Sequence, residues 1–269
     1  MAMLALSLLL SFSACKDKQT EITPEPETSP EEVQEEIQTP KEPVIISLAG
    51  GDYGYPSPYL HYSRGPGSFK MQLVFDSLLE RGEKGTIPWL AESYSVSEDG
   101  LTYSFKIREG VKWHDGKDMT PEDVKFSFEY QMENPPVSGI STTLGKGDNI
   151  IESMSLDGND FIVKVSQKNA AMLENLGSVR IIPKHIWENI DNPKEFTDEI
   201  CGIGCGPYKI TDYDKEQGAY KFEAFKDYWG QNHLVDEIRF VPVSDGILAF
   251  DKGEIDLTGI TPDVYEKYA

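Results

Sequence analysis

The apolar residues of the chain fall into short segments whose spacing predicts both strands and helices. Residues 44–48 form a β-branched run, which is typical of a buried strand. Tyr103, Phe105 and Ile107 alternate with polar residues, so a half-buried strand is expected over residues 102–108. The same reasoning predicts a hairpin over residues 153–165, with its turn at 157–160, and strands at 208–210, 220–225 and 235–243.

Three segments have the signals of a helix. Thr120 and Pro121, followed by two acidic residues, predict a helix that begins with Thr120 as its N-cap. A short helix is expected over residues 170–176. Another is predicted to begin after an N-cap at Ser68 and to continue to Glu80, because its apolar residues recur at helical spacing: Met71, Val74, Phe75, Leu78 and Leu79. Strands and helices intermix without the regular alternation of a Rossmann sheet, which indicates a mixed α/β fold.

The N-terminus has the pattern of an export signal. Residues 4–12 are apolar but cover only about half of the ~20 residues that cross a bilayer, so they fit the core of a signal peptide. Ser13 and Ala14 then precede Cys15, an order that resembles a bacterial lipobox, in which the cysteine is acylated. We expect a signal peptide over residues 1–15 and lipidation of Cys15. The alternative is an ordinary signal peptide with an incidental cysteine.

The composition changes between this signal and the first strand. Residues 16–43 contain nine acidic residues, five prolines and no aromatic residue. Such a segment buries too little apolar surface to offset its chain entropy, so a disordered tether is predicted. The whole chain carries a formal net charge of −21. A surface this negative repels phosphate backbones, which argues against nucleic acid as a partner.

Cys201 and Cys205 bracket the residues Gly-Ile-Gly. Glycine lets the chain turn sharply enough to bring the two sulfur atoms together, and disulfides persist outside the cytoplasm. A disulfide between them is therefore one prediction. Two free, buried thiols are the main alternative, and a pair of metal ligands is a third.

No catalytic or metal site is predicted, and no cofactor. His114 and Asp115 are adjacent, but neighbouring residues point in different directions, so their adjacency is poor support for an acid–base pair. The four histidines are widely spaced, without the i, i+4 arrangement of a zinc helix. The sequence also lacks the phosphate-binding pattern GxxxxGK[ST] and the nucleophile pattern GxSxG. None of these patterns predicts an enzyme.

Ten short motifs follow one another along the chain in the order found in a known family. Five lie between Phe75 and Val124 and read FDSL, PWLAES, DGLTYSF, REGVKWHDG and TPEDV. Five more lie between Ile182 and Leu257 and read IPKH, GCGPY, DYWG, VDEIRF and GEIDL, with Cys205 where the family usually has threonine. By these motifs the chain resembles the family 5 extracellular solute-binding proteins, which include the oligopeptide- and dipeptide-binding proteins of ABC importers. The resemblance covers about residues 44–257.

This resemblance implies one lobe of a type II periplasmic-binding-protein fold. Members of the family are longer than this chain and enclose their ligand between two lobes. By analogy, the base lobe comprises residues 43–77 and 179–257, an inserted domain comprises 78–178, and residues 258–269 begin the hinge to an opposite lobe that this sequence lacks.

The resemblance also implies a function and partners. The expected function is capture of a peptide outside the cytoplasm and its delivery to the permease and ATPase of an ABC importer, with the lipid anchor holding the protein at the membrane. The alternatives are another solute, such as a nickel complex, haem or an oligosaccharide, or a surface sensor or adhesin that does not transport.

Residues 50–67 are the best candidate for contact with the ligand. The segment holds four tyrosines, a histidine and an arginine among glycines and prolines, and family members place cleft residues in the corresponding loop. Tyrosine offers a broad, rigid contact surface with a polar tip. The alternative is a surface loop whose tyrosines pack internally. The candidate binding residues are Tyr53, Tyr55, His61, Tyr62, Ser63, Arg64 and Gly65, where Arg64 is the candidate partner of a peptide carboxylate.

Overall fold

In the computed structural model, a four-stranded sheet joins segments from both ends of the described chain. The structure describes residues 42–62, 66–136, 145–147, 150–231, 233–260, 262 and 265–268. The predicted signal peptide, Cys15 and nearly all of the predicted tether lie outside these residues. The sheet has the strand order β1 (Ile45–Ala49), β10 (Glu237–Val241), β9 (Ala219–Ala224) and β8 (Tyr208–Asp214). β1 runs parallel to β10 and the other pairs are antiparallel, so the strands predicted in these segments are confirmed.

A second four-stranded sheet, fully antiparallel, is built from the middle of the chain. Gly158 has a φ of 57° in the turn between two of its strands, a conformation that favours glycine. Those two strands form the hairpin predicted from the sequence, and the strand predicted at 102–108 is confirmed as well. The strand order is β4 (Ala91–Val96), β5 (Thr102–Ile107), β7 (Asp160–Val165) and β6 (Ile151–Asp157). A separate small hairpin pairs β2 (Leu79–Gly82) with β3 (Gly85–Pro88).

Short helices lie between the strands. The helix predicted after Thr120 is confirmed, because Thr120 N–H donates to Asp123 Oδ2 at 2.8 Å and so caps the first turn. Asp123 Oδ1 also accepts from Lys184 N–H at 2.9 Å, which joins this cap to a later helix. In the part of the chain that the structure describes, no helix has the length and apolar character that crossing a bilayer requires. The helices are α1 (Pro66–Val74), α2 (Pro121–Glu133), α3 (Met172–Gly177), α4 (Lys184–Trp187), α5 (Gly246–Asp251) and α6 (Tyr265–Tyr268), with a 3-10 helix at Glu199–Gly202.

The first of these helices differs from its prediction at both ends. α1 begins at Pro66, so Ser68 is its third residue rather than its N-cap, and it ends at Val74 instead of continuing to Glu80. Beyond Val74 the backbone bonds to distant residues: Ile181 N–H donates to Asp76 O at 3.0 Å, and Trp89 N–H donates to Leu78 O at 3.1 Å. These long-range bonds replace the i to i−4 bonds of a longer helix.

Two groups of buried apolar residues form the core. Phe105 and Phe128 belong to the group beside the second sheet, and Phe222 and Tyr130 belong to the group beside the first sheet. Phe128 and Tyr130 both lie on α2, so this helix contributes to both groups. The division into a base lobe and an inserted domain remains a prediction.

Candidate functional site

The candidate loop leaves the end of β1 and is described over residues 50–62. Its first residue, Gly50, donates its N–H to Val241 O at 2.6 Å. A Cβ at Gly50 would lie 2.9 Å from the same oxygen, so glycine is needed where the chain turns away so close to β10. This contact fixes the point at which the 50–62 loop leaves the sheet.

The hydroxyl of Tyr220, on β9, organises the first turn of the 50–62 loop. It accepts from Tyr53 N–H at 2.8 Å and donates to Gly54 O at 3.0 Å. Asp52 Oδ1 accepts from Gly54 N–H at 2.9 Å and from Tyr213 Oη at 2.5 Å. Partial burial acts to raise the pKa of Asp52, but these hydrogen bonds outweigh it and lower the pKa, so the carboxylate is ionised at neutral pH.

His61 lies beneath the 50–62 loop rather than on its outer side. Its ring is completely buried, with Nδ1 2.9 Å from Gly54 O and Nε2 2.9 Å from Gly67 O. Burial lowers the pKa of His61, so at neutral pH the ring is uncharged and donates to one of these carbonyl groups at a time. The sequence predicted His61 as a ligand contact, whereas the structure places it as an internal support of the loop.

The predicted tyrosines occupy three different environments. The ring of Tyr53 faces inward, with its centroid 4.7 Å from Lys70 Nζ. Tyr55 donates to Glu199 O at 3.1 Å and lines a cavity. Tyr62 is 46% exposed, while its N–H donates to Tyr53 O at 2.7 Å and closes the loop. Three further predicted contacts lie outside the described residues: Ser63, Arg64 and Gly65.

A cavity of about 550 Å³ opens beside the 50–62 loop. The rings of Tyr55 and Tyr213 meet edge to face in its wall, 5.8 Å apart. Its lining includes three carboxylates and a single ammonium group, so its charge favours a neutral or cationic group over an anionic one. Tyr55 is among the residues predicted from the sequence, whereas the lining residues of β8 are not, because they are distant in the chain. The lining residues are Asp52, Gly54, Tyr55, Leu60, Thr197, Glu199, Ile210, Thr211, Asp212, Tyr213 and Lys215.

Sequence reasoning also missed Lys70, which lies on α1 behind the 50–62 loop. Its side chain is completely buried, and its Nζ has no hydrogen-bond partner among the described residues. Three aromatic rings surround the ammonium group, those of Tyr53, Tyr220 and Phe240, with centroids at 4.7, 4.7 and 4.1 Å. Burial lowers the pKa of Lys70 to about 8, and the carboxylate of Asp52 opposes that shift.

Away from the loop, His114 joins the KWHDG turn to the GCGPY segment. Its Nδ1 accepts from Gly204 N–H at 3.3 Å and its Nε2 donates to Gly206 O at 2.9 Å, while His114 N–H donates to Gly204 O at 2.8 Å. Burial lowers the pKa of His114 to about 4, so the ring is neutral at physiological pH. A buried neutral ring with both nitrogens bonded to backbone is a structural joint between these two segments.

A second joint links the FDSL and DYWG motifs. Asp76 Oδ2 accepts from Trp229 Nε1 at 2.9 Å and from Tyr228 Oη at 3.2 Å. Burial raises the pKa of Asp76 to about 6 in spite of these donors. Motifs far apart in sequence therefore meet in the fold.

Both cysteines of the GCGPY region are free, buried thiols in the structure. Cys201 packs in the core group beside the first sheet and Cys205 in the group beside the second. Burial raises the pKa of the Cys201 thiol to about 12 and that of Cys205 well above its ordinary value. The structure thus corresponds to the free-thiol alternative, and the disulfide is absent from it.

Comparison with known proteins finds one family. The model of bacterial extracellular solute-binding proteins, family 5 middle region, matches residues 85–269. The dipeptide-binding protein of Escherichia coli (strain K12) is 32% identical over 190 residues, which cover 64% of this chain and 35% of that protein. Heme-binding protein A of Haemophilus influenzae is 30% identical over 201 residues, which cover 67% of this chain and 36% of that protein. This chain therefore spans about a third of the length of these curated relatives.

A solved structure agrees with the sequence relatives. The ABC transporter substrate-binding protein CtaP of Listeria monocytogenes superposes with a TM-score of 0.71 at 28% identity, over 83% of this chain and 46% of that chain. The similarity confirms the predicted fold, a mixed α/β lobe of the type II periplasmic-binding-protein kind. Less than half of the solved chain has a counterpart here.

Proposed function

This chain belongs to the bacterial extracellular solute-binding proteins, family 5, and from that premise we propose that it captures peptides outside the cytoplasm for an ABC importer. The Escherichia coli dipeptide-binding protein and the Listeria monocytogenes substrate-binding protein support this proposal as relatives. They also favour a binding role over an enzymatic one. The proposed partners are a peptide ligand and the permease and ATPase of the importer.

The arrangement of the 50–62 loop carries the proposal. Tyr220 and His61 hold its backbone from beneath, while Asp52 and Tyr62 are exposed on its outer side. A loop that is rigid on one side and exposed on the other presents a preorganised surface, which reduces the ordering cost of binding. The same loop borders the cavity through Asp52, Gly54, Tyr55 and Leu60.

Peptide is the solute class that this surface suits best. Every peptide shares backbone donors and acceptors, so main-chain hydrogen bonds give affinity that does not depend on side chains. Tyrosine rings such as Tyr55 and Tyr62 accept varied side chains against a broad face with a polar tip. The acidic lining of the cavity favours the cationic amino group of a peptide over its carboxylate.

Ligand-induced stabilisation tests the proposal. A ligand that binds the folded state only stabilises it by about 2.7 kcal/mol at a concentration of 100 times Kd. We expect pools of dipeptides and tripeptides to raise the melting temperature of the chain, and calorimetry to give a binding enthalpy with the same pools. Tyr62→Ala should weaken the effect. The matched control is Tyr94→Ala, since Tyr94 is 36% exposed on β4 in the other sheet and should leave binding unchanged.

The same assay includes the competing solutes. Haem and the nickel–histidine complex are added in parallel arms. Stabilisation by one of these and by neither peptide pool would contradict peptide capture and support the alternative solute. An equal loss of peptide binding in Tyr62→Ala and Tyr94→Ala would contradict the assignment of the 50–62 loop.

We also propose that the mature protein is exported and anchored to the membrane through acylated Cys15. The apolar run before Ser13, Ala14 and Cys15 and the acidic, proline-rich segment after it support this anchor. Mass spectrometry of the native N-terminus should find an acylated Cys15, and Cys15→Ser should release the protein from membranes. An unmodified Cys15, or cleavage at another position, would contradict the anchor.

A further inference from the structure

Lys70 places an ammonium group in the interior of the described part of the chain. The side chain lies on α1 with no exposed surface, and its Nζ has no hydrogen-bond partner in the described part of the chain. Lysine is almost never buried without a partner, because removing an ammonium group from water is energetically costly. Asp52 acts on it electrostatically without contacting it. The position therefore needs an explanation beyond packing.

The ammonium group is enclosed by the faces of three rings. Phe240 on β10 and Tyr220 on β9 lie at 4.1 and 4.7 Å, and Tyr53 of the 50–62 loop lies at 4.7 Å. The electron-rich face of an aromatic ring attracts a cation, and more strongly when the cation is desolvated. Three such faces offset part of the cost of burying the charge.

An uncharged side chain would pack here at lower cost. Methionine has nearly the length of the lysine stem and fills irregular apolar space, and replacing a buried charge by an apolar residue is often neutral or stabilising. The charge must therefore supply something that packing alone does not. A cation is attracted to the face of an aromatic ring rather than to its edge, so the charge favours one orientation of the rings around it.

The ring of Tyr53 differs from the other two because it belongs to a loop; besides Lys70 it approaches the ring of His61, with centroids 6.2 Å apart. Tyr220 and Phe240 lie on paired strands of the first sheet, and their rings also contact each other edge to face at 6.4 Å. Tyr53 belongs to a loop, and its backbone is where the two ends of that loop meet. Its N–H donates to Tyr220 Oη at 2.8 Å and its C=O accepts from Tyr62 N–H at 2.7 Å.

We propose that Lys70 is a positioning residue for the 50–62 loop. Its ammonium group holds the ring of Tyr53, and the ring in turn keeps the backbone at residues 52–54 in the conformation that accepts the hydrogen bond from Tyr62. The consequence for ligand capture rests on the proposed function of the loop. The effect on loop order does not, because it is measurable without any ligand.

Amide hydrogen exchange in Lys70→Met, compared with wild type, tests this role. We expect the amides of Tyr53 and Tyr62 to exchange about tenfold faster, because a loop contact of cation–π strength is lost. We expect the urea midpoint to stay unchanged or to rise, because the buried charge is removed. Protection of the loop then falls without a fall in global stability, which a purely structural role would not produce.

Lys209→Met is the matched control. Lys209 Nζ also lies over a ring, 4.4 Å from the centroid of Phe225, but it donates to His114 O at 2.6 Å and does not contact the 50–62 loop. This variant should lower the urea midpoint and leave the exchange of Tyr53 and Tyr62 unchanged relative to global unfolding. Unchanged loop protection in Lys70→Met, or a loss of protection in proportion to a loss of global stability, would overturn the proposal.

Tyr53→Leu tests the same contact from the loop side and replaces Lys70→Met if that variant does not fold. It removes the ring face and should accelerate exchange at Tyr62 to a similar extent. Amide exchange in the double variant should be no faster than in either single variant, since both substitutions remove the same interaction. Additive effects would contradict the contact.

Peptide binding is measured on the same samples. A loosened loop without peptide binding in wild type refutes the proposed function but not the positioning role, and peptide binding with an unchanged loop in Lys70→Met refutes the positioning role alone.

Discussion

Two buried bases hold two segments of this molecule in opposite ways. His114 is uncharged and bonds through both ring nitrogens to Gly204 and Gly206. Lys70 has no hydrogen bond within the described residues and relies on three aromatic faces, one of which belongs to the 50–62 loop. Burial lowers the pKa of both groups, to about 4 for His114 and to about 8 for Lys70.

This difference suggests that His114 contributes to the stability of the fold, whereas Lys70 contributes to function. A base whose hydrogen bonds are satisfied in the neutral form costs little to bury, so the joint at His114 contributes to the stability of the fold. A charge without a partner is a cost, and proteins tolerate such costs mainly at sites where function requires them. On this view the joint is rigid and the 50–62 loop is the region that responds to ligand.

The largest expected effect lies at the joint, in Gly204→Ala. A Cβ at Gly204 would lie 1.9 Å from Val74 O, the carbonyl oxygen that also accepts from Gly206 N–H. Backbone has to move to accommodate this clash, so we expect a loss of about 4 kcal/mol or more in the free energy of unfolding. Urea denaturation followed by circular dichroism measures it.

Gly259→Ala is the control for this substitution. A Cβ at Gly259 would meet no atom within 4 Å, so the change in stability should stay within about 0.5 kcal/mol. Similar stabilities for the two variants would contradict the close packing of the GCGPY segment against α1.

The lowered pKa of His114 leads us to expect that the free energy of unfolding decreases in acid. Burial lowers its pKa from 6.5 to about 4, so between these values the unfolded chain binds more protons than the folded chain. The contribution is fully present above pH 6.5 and is lost as the pH falls toward about 4, in total roughly 3 kcal/mol. Urea titrations at a series of pH values give the slope.

A variant is needed to separate the contribution of His114, because Asp76 titrates in the same pH range and changes the free energy of unfolding in the opposite direction. Burial raises the pKa of Asp76 from its ordinary value of 3.8 to about 6. The contribution of Asp76 to the free energy of unfolding is therefore lost as the pH rises from 3.8 through about 6. His114→Asn keeps a donor and an acceptor but does not titrate, so the difference between this variant and wild type belongs to the histidine. Equal acid slopes in the two proteins would show that His114 is not held neutral.

A smaller effect is expected at the loop, in Tyr220→Phe. The variant keeps the ring that faces Lys70 but removes the hydroxyl that accepts from Tyr53 N–H and donates to Gly54 O. We expect a loss of about 1 kcal/mol and faster amide exchange at Tyr53 and Gly54. Tyr208→Phe removes a comparable hydrogen bond, from Tyr208 Oη to Val235 O at 3.0 Å, and should leave exchange in the loop unchanged. If the two variants loosen the loop equally, Tyr220 is not its organiser.

Local patterns predicted burial better than backbone conformation. The apolar spacing from Met71 to Leu79 identified five residues that are all buried, yet the helix ends at Val74. Helix termination depends on bonds from distant residues such as Ile181, which local periodicity does not contain. Thr120, by contrast, was predicted as a helix start because its cap is formed by a residue only three positions away, Asp123.

The candidate site shows the same limit. The sequence predicts Tyr55 as a ligand-facing residue; the structure places this residue in the cavity wall, and its contact with a ligand stays a prediction. The sequence could not show that His61 lies beneath the loop, because the position of its ring depends on contacts with the carbonyl oxygens of Gly54 and Gly67. A signal for Lys70 does exist in the sequence, since it lies four residues before the buried Val74 on the same helical face. The convergence of rings from residues 53, 220 and 240 on its ammonium group requires the fold.

Amide hydrogen exchange with and without the dipeptide pool tests the central claim most directly, because it reports the loop and the joint in one sample. We predict that the amides of Tyr53 and Tyr62 open locally, at least about tenfold more often than the whole fold opens, and that peptide slows their exchange. The amides of His114 and Gly206 should exchange only through global unfolding, with no response to peptide beyond global stabilisation. Uniform exchange across both regions, or a peptide response as large at the joint as in the 50–62 loop, would contradict the account.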